Sequence, residues 1–271
     1  MNLKEAMHAR RLVLLASVLL VISLLLLAAP RGFAGDKPSF KALVFSKTAG
    51  FRHDAIPEAI AAFRKLGAEN NFASDFTEDA GAFNDANLDK YDVVVFLLTT
   101  GEVLDPSQRS AFERFIRKGR GYAGIHSASD TGYEWPFYGE LVGAYFKHHP
   151  QIQSARIRVE DSAHPSTSFL PGVWERTDEW YGFRTNPREK VHVLMTLDES
   201  TYRGGEMGAD HPIAWCREFS GGRSWYTALG HTKESYTEPL FLQHMLGGLQ
   251  WAAGIPLQQT QASATQRCNQ H

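Results

Sequence analysis

The sequence predicts a doubly wound α/β domain with an added β-rich stretch, and three observations carry that expectation. Short apolar runs alternate with amphipathic helical stretches through the first half of the chain. From about residue 152 to 225 this alternation gives way to short period-two runs with few helical stretches. The composition is that of an ordinary globular protein, 43% hydrophobic and 21% charged, and 271 residues suffice for one large α/β domain.

Each element has a local reason. Ala42–Phe45, bounded by a loop holding Gly50, suits a buried parallel strand. Pro57 fits a first helical turn, where its missing N–H is not needed. Ile60, Phe63 and Leu66 then recur at helical spacing up to Gly67, the expected stop. Phe72–Phe76 reads as the second strand, with an acidic loop after it. Val93–Leu98 is continuous and β-branched at its start, which predicts a strand buried on both faces. Asp105-Pro106 opens a helix with the apolar stripe Ala111, Phe112, Phe115 and Ile116, ended by Gly119. Gly121–Ile125 is the fourth strand. Ala155–Val159 and Val191–Thr196 belong to the β-rich stretch, expected as an extension or wall beside a pocket. Ile213–Phe219 is a further apolar run, Ser224–Leu229 a last strand, and Leu240–Trp251 a final helix stopped at Gly254.

The two ends stand apart from this domain, expected over residues 35–254. Lys4, Arg10 and Arg11 precede the uncharged run Leu12–Ala29, and Gly32-Phe33-Ala34 offers small residues to a signal peptidase. Residues 1–34 therefore read as an export signal cut after Ala34, giving a periplasmic or secreted protein. The alternative is an uncleaved anchor, because the run approaches spanning length; membrane contact is expected only through that segment, if retained. Residues 255–271 are rich in Gln, Thr, Ser and Ala and read as a disordered tail. Removing residues 1–34 moves the formal net charge from −2 to −5, with 24 basic and 29 acidic residues left. A mildly acidic body argues against nucleic acid as a partner. Cys216 lies in an apolar run and Cys268 in the tail, so no disulfide framework is expected.

Three histidines, His53, His126 and His231, each follow a strand-like run. Ligands of open parallel sheets collect outside the carboxyl ends of the strands. The imidazoles would converge if Phe40–Phe45, Gly121–Ile125 and Ser224–Leu229 were neighbouring parallel strands. Imidazole suits both proton transfer near neutral pH and metal ligation. Gly119–Gly124 satisfies G-x-G-x-x-G but enters a strand instead of opening a helix, which argues against a dinucleotide loop. Gly124-Ile125-His126-Ser127-Ala128 occupies a strand-to-helix corner where hydrolases hold a nucleophile between small residues. With histidine at its centre, thiol or serine acyl transfer there is excluded, and Ser127 is expected to point elsewhere. A structural imidazole bonded to a backbone carbonyl is the plainer alternative for His126.

His53 either lines the site or leaves Asp54 to cap the next helix. Of the pair His148-His149, His149 is the pocket candidate and His148 the solvated one. Asp178-Glu179-Trp180-Tyr181 sets carboxylates beside aromatic faces, as sugar sites do; the alternative is two core aromatics with carboxylates on a surface edge. Asp210-His211-Pro212 lacks the H-x-x-H and H-E-x-x-H spacings of metal sites. Glu234 is close enough in sequence to orient His231. A divalent metal stays open as a cofactor, with His126, His149 and His231 as candidate ligands.

Taken together, KALVFSKTAGFRHD, GIHSASDT, FKHHP, DEWYGF and YTALGHTKESY resemble the ThuA-like (trehalose-utilisation) family over roughly Lys41 to Gly254. The resemblance implies the three-layer, flavodoxin-like doubly wound parallel sheet of class I glutamine amidotransferases. Those enzymes carry cysteine at the corner where His126 stands, so glutamine hydrolysis is not implied. It also implies carbohydrate catabolism on a keto sugar or 3-keto-glycoside, by a lyase, hydrolase or isomerase. A ketone at C3 acidifies the C2 proton, so a positioned imidazole could remove it and expel the C1 substituent. A second histidine or a metal would stabilise the enediolate. On this reading His126 is base or metal ligand, His231 its acid or electrostatic partner, and Glu179 a carboxylate on sugar hydroxyls. His53 and His149 complete the pocket, and Asp130, Trp180 and Tyr181 meet the substrate. Two other classes stay open: a non-catalytic carbohydrate-binding domain, and a sugar hydrolase that uses either a metal or the carboxylates of Asp130 and Glu179.

Overall fold

The computed structural model describes residues 37–255; the expected export segment at 1–34 and the tail beyond 255 lie outside them. Residues 38–255 form one unit. Among the described residues, no helix is long and apolar enough to cross a membrane.

The first half alternates as its hydrophobic periods require. It runs β1 (Lys41–Phe45), α1 (Ile56–Glu69), β2 (Ala73–Thr77), α2 (Asp85–Leu88), β3 (Val93–Leu97), α3 (Pro106–Arg117), β4 (Gly121–Ile125) and α4 (Pro136–Val142). The second half runs β5 (Phe146–His148), β6 (Gln153–Val159), β7 (Val173–Asp178), β8 (Gly182–Phe183), β9 (His192–Asp198), β10 (Pro212–Phe219), β11 (Gly222–Thr227) and α5 (Pro239–Ala252). β3 and β4 are buried along their whole length, as strands covered on both faces must be. α3 starts on a capping box in which Asp105 accepts from the amides of Ser107 and Gln108, and the Gln108 side chain accepts from the Asp105 amide.

Nine strands form one sheet in the order β2-β1-β3-β4-β11-β10-β9-β6-β7, while β5 and β8 pair separately. The first five are parallel and the other four antiparallel to their neighbours. The chain moves one way from β1 to β2 and the other way from β2 to β4. Right-handed crossovers therefore set α1 on one face and α2 and α3 on the other. α5 packs with α1, and α4 meets α3 where Arg117 lies over the Phe137 ring. Phe96 of β3 meets Phe112 of α3 and Tyr138 of α4, with ring centres 5.4 and 5.3 Å apart. This is the three-layer doubly wound α/β architecture expected.

Two local expectations are corrected. β1 is not the neighbour of β4, because β3 lies between them; β4 and β11 do adjoin, in parallel. Helix α1 continues past Gly67 to Glu69. Gly67 is there for close approach, since a Cβ would meet the Phe72 carbonyl oxygen at 2.8 Å. The β-rich stretch is the expected extension: β6, β7, β9 and β10 prolong the same sheet. Accumulated twist coils that extension back, so that Asp178 at the end of the edge strand β7 accepts the amides of Gly230 and His231, just past β11.

Away from the sheet edge, two buried histidines make a pH prediction. Ser166 donates its amide to His164 Nδ1, and His244 Nδ1 donates to the Ser166 carbonyl. Burial pushes His164 down to about 4 and His244 down to about 3. Both are neutral in the fold but protonate near 6.5 when unfolded, so the unfolded chain binds more protons below that pH. Stability is then full above about pH 6.5 and falls as pH drops toward 4, by ~1.4 kcal/mol per pH unit per histidine. Urea unfolding of His244→Gln between pH 5 and 6.5 is expected to show a pH slope shallower by about one proton. An unaltered slope would refute the assignment.

Candidate functional site

Four side chains from four stretches of chain meet outside the carboxyl ends of the parallel strands. His53 follows β1, His126 follows β4, His231 follows β11, and Glu179 is the residue after β7. One ligand-capable atom from each lies within 4.8 Å of all the others. β4 and β11 deliver His126 and His231 side by side because they are parallel neighbours. Glu179 arrives through the coiled extension.

His126 has a φ of +52°, a left-handed conformation costly for a residue with a Cβ. The Tyr226 hydroxyl holds its carbonyl at 2.8 Å. Its ring is fully buried, with Nδ1 2.7 Å from the Ala228 carbonyl oxygen. A carbonyl only accepts, so Nδ1 carries a proton and Nε2 is the nitrogen turned into the cluster. An imidazole N–H on a backbone carbonyl is the usual companion of a metal-bound histidine. The carbonyl contact weighed as a plain structural alternative for His126 thus coexists with a ligand-ready Nε2.

Three separations define the centre. His126 Nε2 is 3.2 Å from His231 Nδ1 and 3.3 Å from Glu179 Oε2, and His231 Nδ1 is 3.1 Å from Glu179 Oε2. A tetrahedron with metal–ligand bonds of roughly 2.0–2.1 Å has edges of about 3.3 Å. An ionised carboxylate and a neutral Nε2 both only accept, and a proton on His231 Nδ1 can serve just one of them. Lone pairs so placed repel unless an added proton or a cation sits among them. The chemistry and spacing of the donors fit a divalent cation, with His53 as a fourth neighbour.

Without a cation, imidazole protons supply the positive charge at this centre. Burial would raise the Glu179 carboxyl, but its contacts with His126 and His231 outweigh burial and hold it well below the usual range. His231 moves the other way: burial lowers it, and the Glu179 carboxylate more than compensates. Burial, with the neighbouring His126 and His231, pushes His53 down to about 2, so that ring is uncharged. Its Nδ1 lies 3.4 Å from Ser127 Oγ, so Ser127 faces the cluster and does not point elsewhere as expected.

Several expected site residues sit differently. His149 is outside the ligand cluster: its Nδ1 lies 2.9 Å from Glu179 Oε1 and 2.9 Å from the Pro150 carbonyl. Two acceptors on Nδ1 place the proton there and leave Nε2 free on a side chain 42% exposed. This corrects its candidacy as a metal ligand. Trp180 is 1% exposed and donates its Nε1–H to the Gln153 carbonyl. Tyr181 is buried, its ring 4.1 Å from that of His126. Neither offers a free face to a sugar, so their role as stacking residues is corrected to packing. Asp130 is half-buried, takes the Tyr133 hydroxyl at 2.6 Å and has its carboxyl pushed up by burial. Glu234 is exposed, and Glu179 orients His231 in its place. His148 is half-buried, its ring 3.7 Å from Glu206. His211 is a buried link between the Tyr181 carbonyl and Glu199. Cys216 is buried in β10, its thiol pushed up to about 12 by burial.

Sequence reasoning missed the joint of the site, Asp178. This fully buried carboxylate accepts the amides of Glu179 (3.0 Å), Gly230 (2.8 Å) and His231 (3.1 Å), and its Oδ2 faces Arg176 Nη2 at 3.3 Å. One side chain therefore fixes both ligand-bearing loops. Gly230 makes the turn possible with a φ of +107°, and a Cβ there would come within 2.9 Å of Tyr236 and Phe241. The available signal was the alternation in β7, which buries Trp174, Arg176 and Asp178 on one side. Ionic residues in such a register need buried partners.

Comparison with known proteins adds a family. A family model described as trehalose utilisation, ThuA, matches residues 41–252. No curated protein matches the chain. A ThuA-like protein from Bacteroides uniformis is 25% identical, with a TM-score of 0.70 over 83% of this chain and 95% of its own. Another from Parabacteroides merdae is 20% identical, with a TM-score of 0.68 over 80% and 90%. A β-galactosidase from Bacillus circulans sp. alkalophilus, 15% identical, aligns with a TM-score of 0.54 over 80% of this chain and 31% of its own, a likeness of fold.

Proposed function

The chain belongs to the ThuA (trehalose utilisation) family, and from that premise we propose that it serves carbohydrate catabolism by proton abstraction from a keto sugar or 3-keto-glycoside at the His126–His231–Glu179 centre. The observation that carries this reading is the convergence of three lone-pair donors at tetrahedral spacing beside the half-exposed imidazole of His149. The family's description supports a sugar, and the donor set supports chemistry that builds negative charge on a carbonyl oxygen.

Each residue then has a task. His126, His231 and Glu179 would hold a divalent cation, which supplies Lewis-acid stabilisation to the ketone oxygen. His149, its Nδ1–H anchored on Glu179, presents Nε2 as general base to the C2 proton. The C2–H electrons form the C2=C3 double bond, and the ketone oxygen takes the charge. Return of that charge re-forms the ketone, makes C1=C2 and breaks the C1–O bond, and the leaving oxygen takes the proton held by His149. Addition of water across C1=C2 completes net hydrolysis.

The test pairs metal analysis with turnover. Purified protein is expected to hold about one divalent cation per chain and to cleave 3-keto-trehalose or related 3-keto-glycosides. Chelation should stop the reaction and one divalent metal should restore it. Keto-glycosides left intact with and without added metals would end this reading.

A further inference from the structure

We propose that Phe51 is the stacking platform for the second sugar ring of a disaccharide substrate, an assignment that rests on the carbohydrate reading of the site. Phe51 is 66% exposed, and it is the aromatic one among the large hydrophobics exposed in the described residues. A single exposed apolar side chain is ordinary by itself. This one has a place and a rigidity that need a reason.

Its place is beside the centre. The ring meets His53 edge-on at 4.9 Å, and His53 in turn lies 5.0 Å from His126 and 5.1 Å from His231, centre to centre. Phe51 thus stands next but one to the His126 and His231 rings along this line of contacts, beside the centre where the first sugar of a disaccharide would sit. Trp180 and Tyr181 are buried and cannot take that part.

Its rigidity comes from the loop after β1. Thr48 bridges to Thr100, and the Ala49 amide donates to the Thr100 carbonyl at 2.7 Å. Thr100 Oγ1 accepts from the Gly50 amide and donates to the Phe51 carbonyl at 2.7 Å. The backbone under the ring is pinned to the loop after β3, so Phe51 is held outward. Its neighbours along the loop, Arg52 and Asp54, form exposed ion pairs with Glu78 and Lys233, and these can bond sugar hydroxyls. An apolar face within a polar rim is the make-up of a sugar subsite.

The test separates this subsite from the chemistry. With a 3-keto-disaccharide, Phe51→Ala is expected to raise KM about tenfold with kcat little changed, the loss of one stacked ring. Phe51→Tyr should keep KM near the wild-type value, and a 3-keto methyl glycoside should not distinguish the variants. An unchanged KM for the disaccharide in Phe51→Ala, or an equal rise for the methyl glycoside, would overturn the assignment. Calorimetry with trehalose and other unoxidised disaccharides reads the subsite without turnover. Weaker binding by Phe51→Ala upholds it even if no keto-glycoside is cleaved. Equal binding, absent binding, or loss of a dimer with sugar affinity intact would reject it.

Discussion

Glu179→Gln is expected to lose the cation and, with it, turnover by at least ~10³-fold, while the fold survives. Glutamine keeps the size of the side chain but replaces one of the converging carboxylate oxygens with an N–H₂ group or leaves it uncharged. Glu179 Oε2 stands 3.3 Å from His126 Nε2 and 3.1 Å from His231 Nδ1, and Oε1 anchors His149. One substitution therefore weakens the metal site and detaches the base. Loss of a hydrogen-bonding partner behind a ligand already costs ~10–100-fold in affinity, and loss of a ligand costs more. Misplacing a general base adds ~10²–10⁴ to the rate loss. Metal titration followed by single-turnover assay checks both. Wild-type affinity in Glu179→Gln would remove the carboxylate from the centre.

Asp178→Asn is expected to be the most destabilising single change near the site. Arg176 is 7% exposed and also touches Ser235 Oγ and Glu238, but Asp178 is its fully buried counter-charge. Removing one partner of a buried ion pair costs about 3–5 kcal/mol, because the other charge is left uncompensated. For a domain of this size the loss lowers Tm by roughly 10 °C. The amide also sets an N–H₂ against at least one of the three backbone N–H groups that Asp178 receives. Pairing Asp178→Asn with Arg176→Met should recover part of the lost stability, since the stranded charge is gone, without restoring metal affinity. A Tm within a degree or two of wild type in Asp178→Asn would show that the joint lies elsewhere.

Apart from the one-turn helix α2, which falls in the segment read as an acidic loop, the order and kind of the elements through β4 were legible in the sequence because helical and strand periods are local. Val93–Leu98 could only be a covered strand, and Asp105-Pro106 could only open a helix. The same local reading set His53, His126 and His231 at strand ends, where a parallel sheet gathers its ligands. It put the stop of α1 at Gly67, since a glycine that serves a close approach to Phe72 looks, in one dimension, like a glycine that ends a helix.

What the chain determined by itself was a doubly wound domain with three imidazoles at its carboxyl rim and the family that owns those motifs. Tertiary structure alone decided that Glu179, expected on sugar hydroxyls, instead meets the imidazoles, that Asp178 ties the loops, that His149 stands outside the ligand set, and that Trp180 and Tyr181 face inward. The reason is long-range. β7 is the far edge of a nine-stranded sheet and reaches the centre only because the antiparallel half coils back on itself. No spacing along the sequence records that coil, nor which side of a half-buried strand it turns inward.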